Sequence, residues 1–446
     1  MARMDENLLH DVVQDALKAG ADAAEAVWAE RQSLSIGVRL GALEEVEREE
    51  ARDLGLRVFI GKQQATVSGS DVSAVARGKL VERAVAMARL APEDPYAGLA
   101  PADRLAKGPY PDLDLKDPFE PSAETLEQEA RAAEDSARAT PGVTNSEGGS
   151  AGWSSSTWRL VTSSGFSGLH SATSFSRGVS VIAGEGDGME RDWEGRSARW
   201  REDLPAAEAI GEEAGRRAAA RLGGRKIEST TAPVIFESRL AAAIISPLIG
   251  AISGSAVARG VSFLKDKLGQ RVFAEGIEIY DEPHRPRGLG SSPFDDEGVA
   301  NQRTAIITDG MLTTWLLNTS SARQLGLQTT GHASRGLAGP PGVSPSNLTL
   351  AAGDKDLDAL MREAGKGLLV TSMFGPSLNP NTGDWSIGVS GFWFENGEKA
   401  YPVTEITVAG NLIEVYPRLV PGSDLEFRGA SNAPSVMIPD LAIAGL

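Results

Sequence analysis

A hairpin signal near the C-terminus constrains this chain more than any other feature. From Gly367 to Asn411 it reads GLLVTSMFGPSLNPNTGDWSIGVSGFWFENGEKAYPVTEITVAGN. Two turn clusters, Asn379-Pro380-Asn381-Thr382-Gly383-Asp384 and Glu395-Asn396-Gly397-Glu398, separate runs of apolar, β-branched and aromatic residues. Asn-Gly between such runs predicts a two-residue hairpin, because both central residues of a type I′ turn take positive φ. An antiparallel, glycine-rich sheet is expected here.

The 446 residues suffice for two or three domains around a large core. Cysteine is absent, so there is neither a disulfide nor a thiolate site, which is compatible with a reducing cytosol. The net charge of −17 opposes direct nucleic-acid binding, which needs Lys and Arg against phosphate. The opening MARMDENLLHDVV lacks the basic and apolar regions of a signal peptide. The most apolar run, Leu240 to Ile252, is too short to cross a membrane and contains Pro247. It reads as a buried helix, and a cytoplasmic location without a membrane partner is expected.

The expected fold class is α+β. Residues 1–92 form an N-terminal α/β-meander domain with a mixed sheet. Its first helix is marked by Leu8, Leu9, Val12, Val13, Ala16 and Leu17 and stopped by Gly20. Short strands follow at 25–29, 33–40, 43–48, 55–60 and 64–68, then a helix from Ser73 to Leu90. Residues 93–121, rich in Pro, Asp and Gly, read as a linker. Residues 122–224 carry a helix, a strand-rich block and an alanine-rich helix capped by Gly223-Gly224, and pack with the N-terminal domain. Residues 225–446 form a mostly antiparallel, glycine-rich β domain with a few helices, including Ser238–Ile252 and Ser255–Lys265. The stretch Thr330 to Pro345 reads as a loop at a binding edge.

Several short motifs bear on chemistry. Gly148-Gly149-Ser150-Ala151-Gly152 fits a nucleophile elbow in letters, but alternation after it argues for a serine/glycine-rich loop. Ser262 and Lys265 fit S-x-x-K, which on a helix sets serine and lysine on one face. They are the candidate pair for a non-metal hydrolase, although the companion elements of such enzymes are missing. Gly184 to Gly188 carries two acids and reads as a turn, not a phosphate cradle. Asp295-Asp296-Glu297 with His284 offers oxygen-rich metal ligands, or a solvated turn. Asp384, Trp385, Glu395 and Asn396 sit where a glycine-lined sheet can take an extended peptide by strand addition.

The C-terminal segment resembles the PmbA (TldE) branch of the TldD/PmbA family, historically called modulator of DNA gyrase. The likeness lies in Asn379-Pro380, Thr382-Gly383-Asp384, Phe394-Glu395-Asn396-Gly397 and Tyr401-Pro402-Val403. Ser292 to Gly298 is similar to the family's acidic-glycine turn, and the opening helix with short strands is also similar. The TldD branch is similar to zinc metallopeptidases and carries an H-E-x-x-x-H helix. With Arg259-Gly260-x-Ser262 and Leu268-Gly269-Gln270 as anchors, the places of its first histidine, glutamate and second histidine are Ile245, Ser246 and Gly250. None of these residues ligates zinc. The four histidines, His10, His170, His284 and His332, are scattered along the chain.

The resemblance implies a non-catalytic, zinc-free subunit. Its partner would be a TldD-like metalloprotease that holds the zinc, and its substrate an extended, unfolded or precursor peptide. Any gyrase connection would then run through protein, not DNA. A stand-alone homodimeric peptide-binding or regulatory protein and an independent Ser/Lys hydrolase are the alternatives.

Overall fold

The computed structural model describes residues 6–446; Met1–Asp5, the start of the segment read as no signal peptide, lie outside the described residues. Helix α1 (Glu6–Lys18) buries Leu9, Val12, Val13 and Ala16 as its spacing predicts. Strands β1 (Ala23–Arg39), β2 (Ala42–Ile60) and β3 (Gln63–Gly69) follow. Helix α2 (Ala74–Leu90) is capped by the Ser73 hydroxyl, which accepts from the Ala76 amide at 3.3 Å. Both helices cover the β1–β3 end of the sheet through Leu54, Leu56, Val58 and Val67. What reads as separate short strands is continuous: polar residues such as Glu47, Arg48 and Glu49 occupy the exposed half of β2 without interrupting its ladder to β1.

After α3 (Ala123–Arg138) come β4 (Val143–Thr162), β5 (Ser167–Ala183), β6 (Glu190–Ala198) and α4 (Ala207–Ala220). β4 pairs antiparallel with β1, so both parts of the chain share one sheet ordered β3-β2-β1-β4-β5-β6. This sheet is antiparallel throughout, and the mixed pairing expected here lies in the C-terminal domain instead. Pairing direction between strands so far apart is set by the chain's path, which local periodicity does not carry. Helices α3 and α4 cover the β5 end, and Gly211 and Gly215 let α4 approach the backbone of α3. A Cβ on Gly215 would stand 2.7 Å from the Ala137 carbonyl. Gly148 to Gly152 lies inside β4, so it is neither an elbow nor a loop.

The C-terminal domain opens with β7 (Thr230–Phe236), α5 (Ser238–Ala251) and the short α6 (Gly254–Ala258). A small sheet contains β8 (Ile279–Asp281), β9 (Thr304–Thr308) and β10 (Met311–Leu312). Then come α7 (Thr319–Leu325), a short pair β11 (Ala333–Ser334) and β12 (Gly342–Val343), β13 (Leu348–Leu350) of the small sheet, and α8 (Leu357–Ala364). The hairpin segment supplies β14 (Lys366–Leu378), β15 (Asp384–Glu395) and β16 (Glu398–Asn411). The remaining strands are β17 (Val420–Pro421), β18 (Ser431–Asn432) and β19 (Val436–Ala444).

β16, β15, β14, β7 and β19 form one sheet that closes on itself, because β16 also pairs with β19. β14 runs parallel to β7 and the other pairs are antiparallel. The Asn396-Gly397 turn has φ +54° and +78°, the type I′ signs its sequence predicts. Val234, Phe236, Leu368, Val370, Ile387, Val389 and Val408 share the large core with Ile244, Ile245 and Leu248 of α5. The outer face, through Ile235, Leu369 and Phe394, packs under Leu360 and Met361 of α8. Closure shortens the free edges that make a glycine-rich sheet prone to aggregation, although β7 and β14 pair over only three residues, Val234–Phe236 against Leu368–Val370.

Candidate functional site

Helix α5 carries the positions on which the family resemblance turns. Ile245 is fully buried in the core. Ser246 and Gly250 are exposed, one helical turn apart. The Ser246 hydroxyl donates to the Ala242 carbonyl of its own helix at 2.9 Å, and space beyond the Gly250 Cα is open. These three positions offer a hydrocarbon, a hydroxyl already used and a hydrogen. That donor set does not fit zinc, which takes imidazole, thiolate or carboxylate.

Ser262 and Lys265 are not brought together as a dyad. The helical segment ends at Ala258 and the stretch beyond it consists of turns. The Ser262 hydroxyl is buried; it donates to the Ala251 carbonyl at 2.6 Å and accepts from the Leu264 amide at 3.0 Å. Lys265 is exposed. Gly260, at φ +72°, ends the helix early, a stop that the S-x-x-K letters alone do not show.

The four hairpin residues divide. Trp385 is a core side chain, edge-on to Phe236 with centroids 6.2 Å apart. Asp384 caps its own turn, accepting from Thr382 Oγ1 at 2.7 Å and Asn411 Nδ2 at 2.9 Å, which holds its carboxyl below the usual range. Asn396 makes the type I′ turn. Glu395 accepts from the Trp393 indole at 3.2 Å, at one end of the barrel.

The acidic-glycine turn is neither a metal site nor a solvated turn among the described residues. Asp295 and Glu297 are buried and Asp296 is half-buried, and the donors to all three come from the C-terminal domain. Asp295 accepts from the amides of Val299 at 2.8 Å, Glu297 at 3.0 Å and Ala333 at 3.0 Å. Glu297 accepts from the Thr319 amide at 2.8 Å and its hydroxyl at 2.6 Å. Burial raises both carboxyls, Asp295 well above the usual range because Glu297 is also beside it. Burial also pushes Asp296 up to about 6, against the Arg335 amide, which donates to it at 2.8 Å.

The histidines do not join this group as metal ligands. His284 bonds Asn301 at 2.8 Å, and His332 lies between Thr330 Oγ1 at 2.9 Å and Asp281 at 3.3 Å. His170, edge-on to Phe294, is pushed down to about 4 by burial and the Arg199 charge, so it is neutral. Among the described residues, no group of three or more His, Cys, Asp or Glu is placed to hold a metal ion. The Thr330–Pro345 stretch, read as a loop at a binding edge, reaches onto the N-terminal sheet. Leu337 packs over Gly55 there, and Arg335 enters the interior to bond Glu25.

A pH effect follows from Asp296. Its proton is held up to about pH 6 in the folded chain and only to about 3.8 in the unfolded one. Between those values the folded state binds more protons, so the stability contributed by this group falls as pH rises and is gone above about 6. The shift corresponds to at most about 3 kcal/mol. Asp296→Asn is expected to gain stability relative to the native chain between pH 4.5 and 7.5. Melting curves at both pH values test this, and parallel slopes for the two proteins would refute it.

Sequence and fold comparisons point in one direction. Family models for the PmbA/TldA metallopeptidases match domain 1 over residues 24–88, the central domain over 116–222 and the C-terminal domain over 229–445. The chain is 38% identical to Metalloprotease PmbA of Escherichia coli O157:H7, across 98% of this chain and 96% of that one. It is 37% identical to the Metalloprotease PmbA homolog of Haemophilus influenzae, across 97% and 94%. Its fold matches a candidate modulator of DNA gyrase from Bacteroides thetaiotaomicron with a TM-score of 0.92 at 27% identity, covering 100% of both chains. TldE from Thermococcus kodakarensis matches at 0.87 and 21% identity, over 98% of this chain and 100% of that one, a likeness of fold. Among the described residues, no helix is long and apolar enough to cross a membrane.

Proposed function

The chain belongs to the PmbA/TldD metallopeptidase family, and on that premise we propose that it is the zinc-free, non-catalytic subunit of a TldD/TldE-type assembly. In this reading the assembly is cytoplasmic and processes unfolded or precursor peptides. The observation that carries the reading is helix α5, which sends Ile245 into the core and presents Ala243, Ser246 and Gly250, none of them a zinc ligand, at the surface. A helix built this way supports a wall, not a hydrolytic centre. The metal and the general base would come from the partner subunit.

The C-terminal domain is the proposed docking side. Phe374 and Leu378 are exposed on β14, and Val261 and Ile413 flank the same 379–383 turn. The Phe263 amide donates to the Pro380 carbonyl and the Leu412 amide to the Gly383 carbonyl, which binds these segments into one surface. Apolar side chains collected on a rigid hairpin suit a lasting interface that survives moderate salt.

Co-expression with a paralogue bearing H-E-x-x-x-H is expected to give a stable hetero-oligomer that cleaves unfolded peptide, while neither chain alone does. The purified chain is expected to hold no stoichiometric zinc by elemental analysis. Phe374→Asp combined with Leu378→Asp is expected to weaken association by about 2–4 kcal/mol, read as loss of co-elution. Point changes are needed because removing residues 367–411 would take β14, β15 and β16 out of the barrel. One tightly held zinc per chain, or a paralogue equally active without this chain, would sink the proposal.

A further inference from the structure

The barrel has an open end with chemistry that its folding does not require. On β14, Leu368 and Val370 face the interior, and the preceding residue on that side is Lys366. On β7, Val234 and Phe236 face the interior, preceded by Ala232. Trp393 and Tyr401 pack against the same core from the hairpin and are only partly buried. These residues lie where β7 and β14 begin, the end opposite the one from which α5 departs. A cavity of about 520 Å³ opens there, lined by Lys366, Trp393, Tyr401, Ala232 and Arg225.

The lining has two kinds of group. Trp393 and Tyr401 give aromatic faces, and the Arg225 guanidinium lies 3.7 Å from the Tyr401 ring centroid. Lys366 and Arg225 bring positive charge in a chain whose net charge is −17. Of the other charges in the lining, Lys226 is paired with Glu405 at 3.0 Å, Glu395 stands opposite Lys366 in the β14–β15 ladder and accepts from the Trp393 indole at 3.2 Å, and Glu228 is the second acid, so a carboxylate is met by Lys366 and Arg225 against these two. The backbone adds a third feature. β7 pairs with β14 only from Val234 onward, whereas Thr230 to Ala232 pair with β19 alone. The side of β7 next to the cavity therefore has no strand laid against it. Barrel mouths that join apolar walls to a few polar groups are common ligand sites, and an unpaired strand side accepts extended backbone.

We propose that this mouth binds the free C-terminal end of an extended peptide. The carboxylate meets Lys366 and Arg225, the last side chain, apolar or aromatic, lies against Trp393 and Tyr401, and the backbone follows Thr230 to Ala232. Choosing a peptide rests on the assembly reading above. A small free acid on an aromatic body has the same terminal chemistry, and the test separates the two.

The probe is a fluorescein-labelled peptide ending Val-Thr-Val-Phe, with a free carboxylate or an amide, added to the full chain without any partner. The free acid is expected to bind saturably by anisotropy and the amide about tenfold more weakly, the usual worth of a charge-assisted bond. Lys366→Glu is expected to lose at least about tenfold and Lys366→Arg to keep most of the affinity. Lys366 is exposed, so both variants should melt like the parent chain. Slower amide exchange at Thr230 to Ala232 on binding would support strand addition. Competition by N-acetylphenylalanine as strong as by the peptide would keep the site and assign it to a small acid. Equal binding of acid and amide, or unchanged affinity in Lys366→Glu, would overturn the proposal. Because the partner is absent, such a failure leaves the assembly reading standing, and a failed co-expression leaves this site standing.

Discussion

Glu25→Ala is expected to destabilise the chain by about 3–5 kcal/mol, the range for removing one partner of a buried ion pair. Glu25 lies on β1 and is 2% exposed. Arg57 of β2 donates to it at 3.1 Å, and Arg335, arriving from the C-terminal domain, donates to the same oxygen. Arg57 keeps other partners, since Gln64 accepts from it at 2.9 and 2.6 Å. Arg335 has less hydrogen-bond support: its Nε reaches only the Gly336 carbonyl at 3.3 Å, its buried Nη2 has no partner, and Asp296 acts on the guanidinium by charge alone. Removing Glu25 leaves two interior guanidinium groups without their shared counter-charge. The double variant Glu25→Ala/Arg335→Ala should recover part of the loss, because the charge most dependent on Glu25 goes with it. Denaturation midpoints of the single and double variants give the coupling directly. A loss below about 1 kcal/mol in Glu25→Ala would show that Arg335 finds another partner.

The same contact shows how far the sequence could be read. Helices α1 to α5 and strands β14 to β16 follow from local patterns: apolar spacing, serine caps, and the Asn-Gly turn. These signals act over a few residues, and no distant segment overrides them. Asp295-Asp296-Glu297 escapes a local reading for the opposite reason. Three adjacent acids look solvated because burying charge is costly, and only amides arriving from Ala333, Arg335 and Thr319 make burial tolerable. Those donors lie far along the chain, and the acids give no local sign of them. Trp385 and Ser262 likewise have partners that no local pattern shows, the core for one and the Ala251 carbonyl for the other. Closure of the barrel by β16 against β19 was equally invisible, since no turn joins the two strands. The positions Ile245, Ser246 and Gly250 came from resemblance, and the structure adds which way each one faces.

Tyr416→Ala is expected to cost about 3–5 kcal/mol, as for a large aromatic removed from a packed core. Tyr416 is fully buried, and its ring stacks on Phe273 with centroids 4.4 Å apart and planes 17° apart. Its hydroxyl donates to the Ile244 carbonyl of α5 at 3.3 Å, and burial holds the phenol above its usual range. Tyr416 thus ties Phe273 to the helix that bears Ile245, Ser246 and Gly250 within the large core. Tyr416→Phe should keep the stack and lose only the hydroxyl contact, about 1 kcal/mol. The gap between the variants separates packing from hydrogen bonding. Loss of packing should free α5 first, because Pro247 denies that helix one backbone donor and leaves it dependent on its neighbours. Hydrogen exchange along Ser238–Ala251 in Tyr416→Ala should therefore quicken more than along β14 to β16. Equal acceleration in both would mean that helix and barrel open as one unit, and that Tyr416 has no special hold on α5.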